Sequence, residues 1–362
     1  MPSKPRDPAT PTFYLDHSTL CDAFRSLSFG GTTAAPAEYR PLFPWIERVA
    51  NEANLCLSIF HMAELGRWRD IATADAMALW YEKLPIVWVR SMADVQDRED
   101  EHWAKIAVSV KPSEQATPFA PSLLAAFQRL DGDALSELLA KREPVVALLD
   151  AIRTKGQGKE VASVLGVAQA FRDDRAWAKK VGWSADKQRE ETAYKRRVDL
   201  RKRAMAADQR LVARGDLEYA AKECSGGDVQ DLLVKLFDDD PTSLPCFRAV
   251  QRFDEGLIAF ALKKQGGSKS ERDALSGSFH DLIHVSVGAA YCDVFTCDGN
   301  VSDWLGDLRD AIGLPHQLSV GRTDSGAKGF VEALMATWPR LDTMASADSN
   351  RANAQHVEGA DS

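Results

Sequence analysis

Short apolar runs typical of β-strands occur only toward the two ends of this chain, and this distribution most constrains its fold. Between them, apolar residues recur at spacings of three and four, which predicts helices. Neither end has enough strands to form a covered sheet alone. We therefore expect one α/β domain, a parallel sheet between helices, interrupted by a large all-helical insertion. The predicted strands are 12–16, 55–60, 86–89, 293–298 and 316–320.

Shifts in composition suggest where the parts of the chain begin and end. A polar, proline-rich start predicts a flexible leader, and a small, polar end predicts a disordered tail. Residues 111–122 contain three prolines and little periodicity, so we interpret them as a connection. The predicted parts are a leader at 1–10, the first half of the α/β domain at 11–110, a partly basic helical insertion at 111–268, the second half at 269–340, and a tail at 341–362.

Composition and charge exclude several classes of protein. No run approaches ~18 consecutive apolar residues, so no transmembrane helix is expected, and the start lacks the apolar stretch of a signal peptide. The six cysteines form no CxxC pair, which argues against a thiolate zinc site and favours free thiols in the cytoplasm. A net charge of −8 excludes a basic protein that coats nucleic acid along its whole length.

Four acidic residues occupy positions that a parallel sheet would bring together. Asp16 and Asp298 directly follow short apolar strands, Glu64 lies in the helix after the second strand, and Asp281 precedes the strand that ends at Asp298. Ligands bind at the carboxyl ends of parallel strands. Clustered carboxylates repel one another unless a cation is present, and Mg²⁺ or Mn²⁺ prefers oxygen ligands. This pattern indicates metal-assisted hydrolysis of a phosphodiester.

Three segments carry a resemblance to the PIN-like nuclease family: YLDHSTL at 14–20, LSIFHMAEL at 57–65 and DLIHVSVGAAYCDVFTCD at 281–298. The resemblance covers roughly residues 10–95 and 270–325. It implies a PIN-like parallel-sheet α/β/α domain and a divalent-metal-dependent endonuclease that acts on RNA more often than on DNA. Many relatives are toxins or nucleases that respond to stress or phage.

The resemblance also implies roles for individual residues. Asp16, Glu64, Asp281 and Asp298 match the catalytic acids that bind Mg²⁺ or Mn²⁺, and Ser18 matches the hydroxyl residue beside the first of them. PIN-like proteins often dimerise, so a homodimer is an open expectation. The sequence identifies no inhibitor or regulatory partner.

Each acid also has a purely structural alternative. Asp16 could serve only as a helix N-cap, Glu64 could be a solvated helix acid, and Asp298 could be a turn aspartate before Gly299. Asp281 lies in an apolar helix, where a carboxylate needs a partner or a metal, so a functional role is favoured.

Two further residues accompany these acids. His284 lies one helical turn from Asp281 and could bond a carboxylate, contact phosphate, or be a satisfied core histidine, which is slightly favoured. Asp293 precedes its strand, so we predict a structural role for it at the opposite end of the sheet from Asp298.

A basic stretch within the predicted insertion is the candidate nucleic-acid surface. Residues 172–214 contain fourteen Lys or Arg against seven Asp or Glu. A cationic helix can follow a phosphate backbone, whereas interleaved acids also allow a solvated face with internal ion pairs. The candidate residues are Lys195, Arg196, Arg197, Arg201, Lys202 and Arg203.

The leading hypothesis is a metal-dependent endoribonuclease whose PIN-like domain is split by helices. The alternative is a non-catalytic sensor on a PIN-like scaffold that binds nucleic acid or protein. A weaker third option is a helical adaptor, which predicts that the four acids lie far apart.

Overall fold

The fold is built on one sheet that joins distant parts of the chain. The computed structural model describes residues 5–27, 35–90, 118–120, 122–126, 163–180, 284–298, 318–322 and 326–338, together with scattered positions at 92–99, 245–257, 281–282 and 301–305. In these residues six strands form the order β4-β3-β2-β1-β5-β6. They are β1 Thr12–Tyr14, β2 Asn54–Ser58, β3 Ile86–Val89, β4 Phe119–Ala120, β5 Val294–Asp298 and β6 Leu318–Arg322.

All neighbouring strands in this sheet are parallel except the pair of β3 and β4, which is antiparallel. A strand is therefore present at each of the five predicted positions, and the α/β class is confirmed. Two predicted ends were wrong: the first strand ends at Tyr14, and Ile59 and Phe60 begin a helix after the second. The strand β4 was missed, because it is only two residues long and follows Pro118 in a stretch interpreted as a connection.

Helices pack on both faces of the sheet because strand side chains alternate between them. Phe13 and Leu15 enter one apolar cluster with the helices near the start of the chain. Tyr14 and Cys56 enter the other, with residues 245–257 and 281–291. The helices are α1 His17–Arg25, α2 Leu42–Glu52, α3 Ile59–Leu65, α4 Ile71–Lys83, α5 Leu123–Ala126, α6 Val164–Lys180, α7 at 281–291, helical at every described position, and α8 Gly326–Met335.

Segments within the predicted insertion also join this fold. The prediction that this insertion is all-helical was wrong, because β4 lies within it and extends the sheet at its β3 edge. The helix α6 packs closely on the end of α3, where a Cβ placed on Gly66 would lie 2.7 Å from Phe171 Cβ. Most of residues 111–268 lies outside the described part of the chain.

The structure describes part of the predicted leader at 1–10 and none of the predicted tail at 341–362. Residues 5–10, assigned to the leader, are connected to the sheet through Asn54, whose amide donates to the Asp7 and Thr10 carbonyls. The predicted tail at 341–362 lies outside the described residues. Among the helices that are described, none has the length and apolar character needed to cross a bilayer.

Candidate functional site

A pocket lies at the edge of the sheet where the central strands end. The strand β1 lies between β2 and β5 and is parallel to both, so the segments that follow all three meet there. The volume of the pocket is about 280 Å³. Its lining residues are Asp16, His17, Ser18, Glu64, Asp281, His284, Val285, Phe295, Thr296, Cys297 and Val301.

Several hydrogen bonds hold Asp16 in place just after the carboxyl end of β1. It is the N-cap of α1, and its Oδ1 accepts from the backbone N–H of Thr19 at 3.3 Å. Thr296 on β5 accepts the backbone N–H of Asp16 and donates to its Oδ1, both at 2.7 Å. Ser18 donates to Oδ2 of Asp16. The cap role that the sequence left open is therefore present, and it orients the carboxylate at the pocket.

Glu64 reaches the same pocket from α3 and lies between two imidazole rings. Its Oε2 is 3.5 Å from Nε2 of His284 and 3.8 Å from Nδ1 of His17. The Glu64 side chain is 22% exposed, whereas those of His17 and His284 are 9% and 7% exposed. These three facing atoms are buried, and none has a hydrogen-bond partner.

The charges in the pocket shift the pKa values of these groups. Burial alone would raise the pKa of Glu64, but the imidazoles of His17 and His284 outweigh burial and hold that pKa well below its usual range. Burial alone would lower the pKa of His284, yet the Glu64 carboxylate raises it overall. Burial lowers the pKa of His17 despite the same carboxylate. These shifts favour an ionised Glu64 and widen the pH range over which His284 carries a proton on both ring nitrogens.

A buried chain of hydrogen bonds supports His284 from behind. Its Nδ1 lies 2.6 Å from the Tyr14 hydroxyl, which lies 2.9 Å from Ser58 Oγ. Ser58 Oγ lies 3.1 Å from Nδ1 of His61, and Nε2 of His61 donates to the Leu15 carbonyl at 2.8 Å. The chain therefore links α7 to the ends of β1 and β2.

The structure treats the remaining predicted residues differently. Asp281 lines the pocket from the start of the described part of α7. Asp298 ends β5 opposite Arg322 of β6, on the edge where the pocket lies, but its side chain is outside the described residues. Asp293 lies at the other edge, as predicted, where its carboxylate accepts the Thr12 N–H at 2.7 Å. The basic candidates at 195–203 also lie outside the described part.

Sequence reasoning missed four polar residues that build the site: His17, Tyr14, Thr296 and His61. All four lie inside the segments that carry the resemblance. Taken one at a time, none of them stands in a pattern that distinguishes a site residue from a residue of the core or of a connection. The available signal was His17 directly after Asp16, and a serine, a tyrosine and histidines placed at strand ends.

The side chains that line the pocket are not arranged around a common point where an ion could bind. Within the described residues, no three or more His, Cys, Asp or Glu side chains are placed so that they could hold a metal together. No protein-family model, curated protein or solved structure matches the chain. The similarity to the PIN-like family therefore depends on the motif residues alone.

Proposed function

We propose that this chain is a divalent-metal-dependent endonuclease, with a PIN-like domain divided by helices. The observation that supports the proposal most strongly is the position of three acids from distant parts of the sequence. Asp16, Glu64 and Asp281 line one pocket at the carboxyl edge of a mostly parallel sheet. Ligand sites of open α/β folds lie at this edge.

The donors around the pocket fit a hard divalent cation. Three carboxylates near one another disfavour joint ionisation unless positive charge lies between them. Oε2 of Glu64 is buried without a hydrogen-bond partner and faces two imidazoles at 3.5 and 3.8 Å, so a bound ligand would complete its contacts. Carboxylate oxygens suit Mg²⁺ and Mn²⁺, so Asp16, Glu64 and Asp281 would hold the ion, with Asp298 from the adjoining strand end.

The chain's own residues would position the reacting groups. Ser18 and Thr296 fix the carboxylate of Asp16, and the imidazole of His284 faces the carboxylate of Glu64. When bound, a divalent cation supplies Lewis-acid chemistry for hydrolysis of a phosphodiester. The pocket is polar on its acidic side, whereas Val285, Phe295 and Val301 make its other walls apolar.

The proposed substrate is nucleic acid, and the preference for RNA over DNA comes from the family resemblance. The basic stretch at 195–203 is the proposed contact for the phosphate backbone, since the overall charge of −8 disfavours binding elsewhere. A toxin, stress-response or phage-defence role, a homodimer and an unidentified inhibitor belong to the same proposal.

Replacement of single carboxylates tests the proposal. Asp16→Asn and Asp281→Asn remove one charge from the pocket, so we expect Mn²⁺-dependent cleavage of structured and single-stranded RNA to fall about 100-fold or more. The matched control is Asp70→Asn. Asp70 caps α4 through the N–H of Thr73 as Asp16 caps α1. Asparagine caps helices as well as aspartate does, so Asp16→Asn and Asp70→Asn should both leave the chain folded.

Three results would count against the proposal. Cleavage that the two pocket variants leave undiminished would remove the site assignment. Cleavage that survives a chelator would remove the metal. Salt-dependent RNA binding without turnover would favour the alternative, a non-catalytic sensor on the same scaffold.

A further inference from the structure

Two histidines give the acidic pocket a donor set that carboxylates alone do not have. Nδ1 of His17 and Nε2 of His284 face Oε2 of Glu64 from distances of 3.8 and 3.5 Å. All three atoms are buried and lack hydrogen-bond partners. At these distances the two rings meet Glu64 as ion-pair partners without a hydrogen bond, and a cation between the three atoms would satisfy all of them.

The distances between these atoms suit a shared ion. Two ligands of one divalent cation lie about 3–3.5 Å apart, given metal–ligand bonds of about 2.0–2.2 Å. The separations of 3.5 and 3.8 Å are close to this range. The side chains do not enclose an ion as they stand, so binding requires the two rings to close toward Glu64.

Hydrogen bonds behind His284 agree with a role as ligand. Nδ1 of His61 accepts the backbone N–H of Ser58 at 3.0 Å, so the His61 proton lies on Nε2, which donates to the Leu15 carbonyl. Ser58 can then donate to His61, Tyr14 to Ser58, and Nδ1 of His284 to Tyr14. In this direction every donor has an acceptor, with the one lone pair of His61 Nδ1 shared between the N–H and the hydroxyl of Ser58, and Nε2 of a neutral His284 presents its lone pair to the pocket.

His17 has an equivalent support. Its Nε2 lies 3.1 Å from Sγ of Cys21, which can accept the ring proton and leave Nδ1 as the lone pair. Histidines that ligate metals commonly donate their second ring nitrogen to such a partner, which fixes the tautomer and the ring orientation.

We infer that the pocket is a mixed nitrogen–oxygen site, in which His17 and His284 join Glu64 and select a divalent transition metal over Mg²⁺. Imidazole suits transition metals, whereas Mg²⁺ demands oxygen ligands and retains its water. This inference rests on the proposed function in one respect, namely that the same pocket holds a divalent cation. It does not require nuclease activity.

The test measures metal binding to the full chain after chelator treatment, with Mn²⁺ and Mg²⁺ as probes. We expect pulsed EPR of bound Mn²⁺ to show nitrogen-14 modulation from imidazole. We also expect His17→Ala, which offers no ligand atom, and His284→Asn, whose amide is too short to replace Nε2, to lower Mn²⁺ affinity at least about tenfold in calorimetry. Their Mg²⁺ affinity should fall less, so that the preference for Mn²⁺ narrows.

The matched control is His61→Asn, which removes a buried imidazole of the same cluster whose nitrogens both have partners. This control should retain the nitrogen-14 modulation. Bound Mn²⁺ without nitrogen-14 modulation in the parent chain would overturn the inference, even if the variants fail to fold. Equal losses of Mn²⁺ and Mg²⁺ affinity in folded variants would also overturn it.

The two proposals fail in different ways. Nitrogen-14 modulation together with no cleavage of any nucleic acid would support the mixed site and contradict the nuclease. Metal-dependent cleavage that needs Asp16 and Asp281, with no nitrogen-14 modulation, would contradict the mixed site and leave the nuclease standing. Absence of any bound metal would contradict both.

Discussion

Single buried hydroxyl groups determine how well the site is held together. The Tyr14 side chain is fully buried, and its hydroxyl is the only group shown to link Nδ1 of His284 to Ser58 within the described residues. Burial raises the pKa of this phenol well above its usual value, so Tyr14 stays neutral and can donate a hydrogen bond at any physiological pH. Loss of this hydroxyl would leave Nδ1 of His284 without a partner and would remove one of the two hydrogen bonds of Ser58 Oγ.

Tyr14→Phe is therefore expected to destabilise the chain by about 1–3 kcal/mol, the cost of leaving a buried polar group unpaired. Urea unfolding measures the change. Tyr81→Phe is the matched control, because Tyr81 is equally buried but its hydroxyl has no hydrogen-bond partner. It should change stability by less than about 0.5 kcal/mol. Equal losses in the two variants would show that the hydrogen-bond chain contributes nothing.

The helix α7 carries Asp281 and His284, and its distance from the sheet places both at the pocket. At Gly288 the helix lies so close to the sheet that no side chain fits between them. A Cβ there would lie 2.5 Å from the Phe295 ring and 2.8 Å from the Tyr14 ring. Both rings are fully or nearly fully buried, so neither can move aside easily.

Gly288→Ala should destabilise the chain by about 1–3 kcal/mol and weaken metal binding, because the added methyl pushes α7 away from β1 and β5. Gly166→Ala in α6 is the control, since its Cβ would meet only the Ser163 hydroxyl, and the one contact at risk is the capping bond that this hydroxyl accepts from the Gly166 N–H. That variant should stay within about 1 kcal/mol of the parent. Thermal melting and calorimetry with Mn²⁺ give both quantities. An alanine at 288 that changes neither would contradict this account of α7.

At the scale of the whole molecule, the strand order makes folding depend on contacts across most of the chain. The strand β1 has β2 on one side and β5, from about 280 residues later, on the other. His61 joins the ends of β1 and β2 through Leu15 and Ser58. Burial lowers the pKa of His61 from 6.5 to about 3, so this link requires a neutral imidazole.

Global stability should consequently fall in acid. The unfolded chain takes up a proton at His61 near pH 6.5 and the folded chain only near pH 3, so the contribution of His61 is complete above pH 6.5 and is lost between these values. Relative to His61→Gln, the parent should lose roughly 2 kcal/mol between pH 7 and 5. Urea unfolding at several pH values measures this, and the difference should be constant from pH 7.5 to 8.5. A difference that stays constant down to pH 5 would contradict the assigned burial.

Much of the sheet could be predicted because its strands are buried on both faces and read as short apolar runs. Leu55, Val87 and Phe295 belong to such runs. The two-residue strand β4 gave no periodic signal, since two residues cannot show an alternation. Asp16, Glu64 and Asp281 were predicted from their positions after or before strands, which in a parallel sheet lead to one edge.

The amino-acid sequence by itself determined which segments become strands and which acids follow them, because burial and chain direction are written in local patterns. Only the tertiary structure decided that two imidazoles face Glu64 and that Tyr14 supports one of them. Those contacts join residues up to 270 positions apart. Their existence depends on how strands and helices pack in space, and no local pattern of residues encodes a distance between side chains from separate elements.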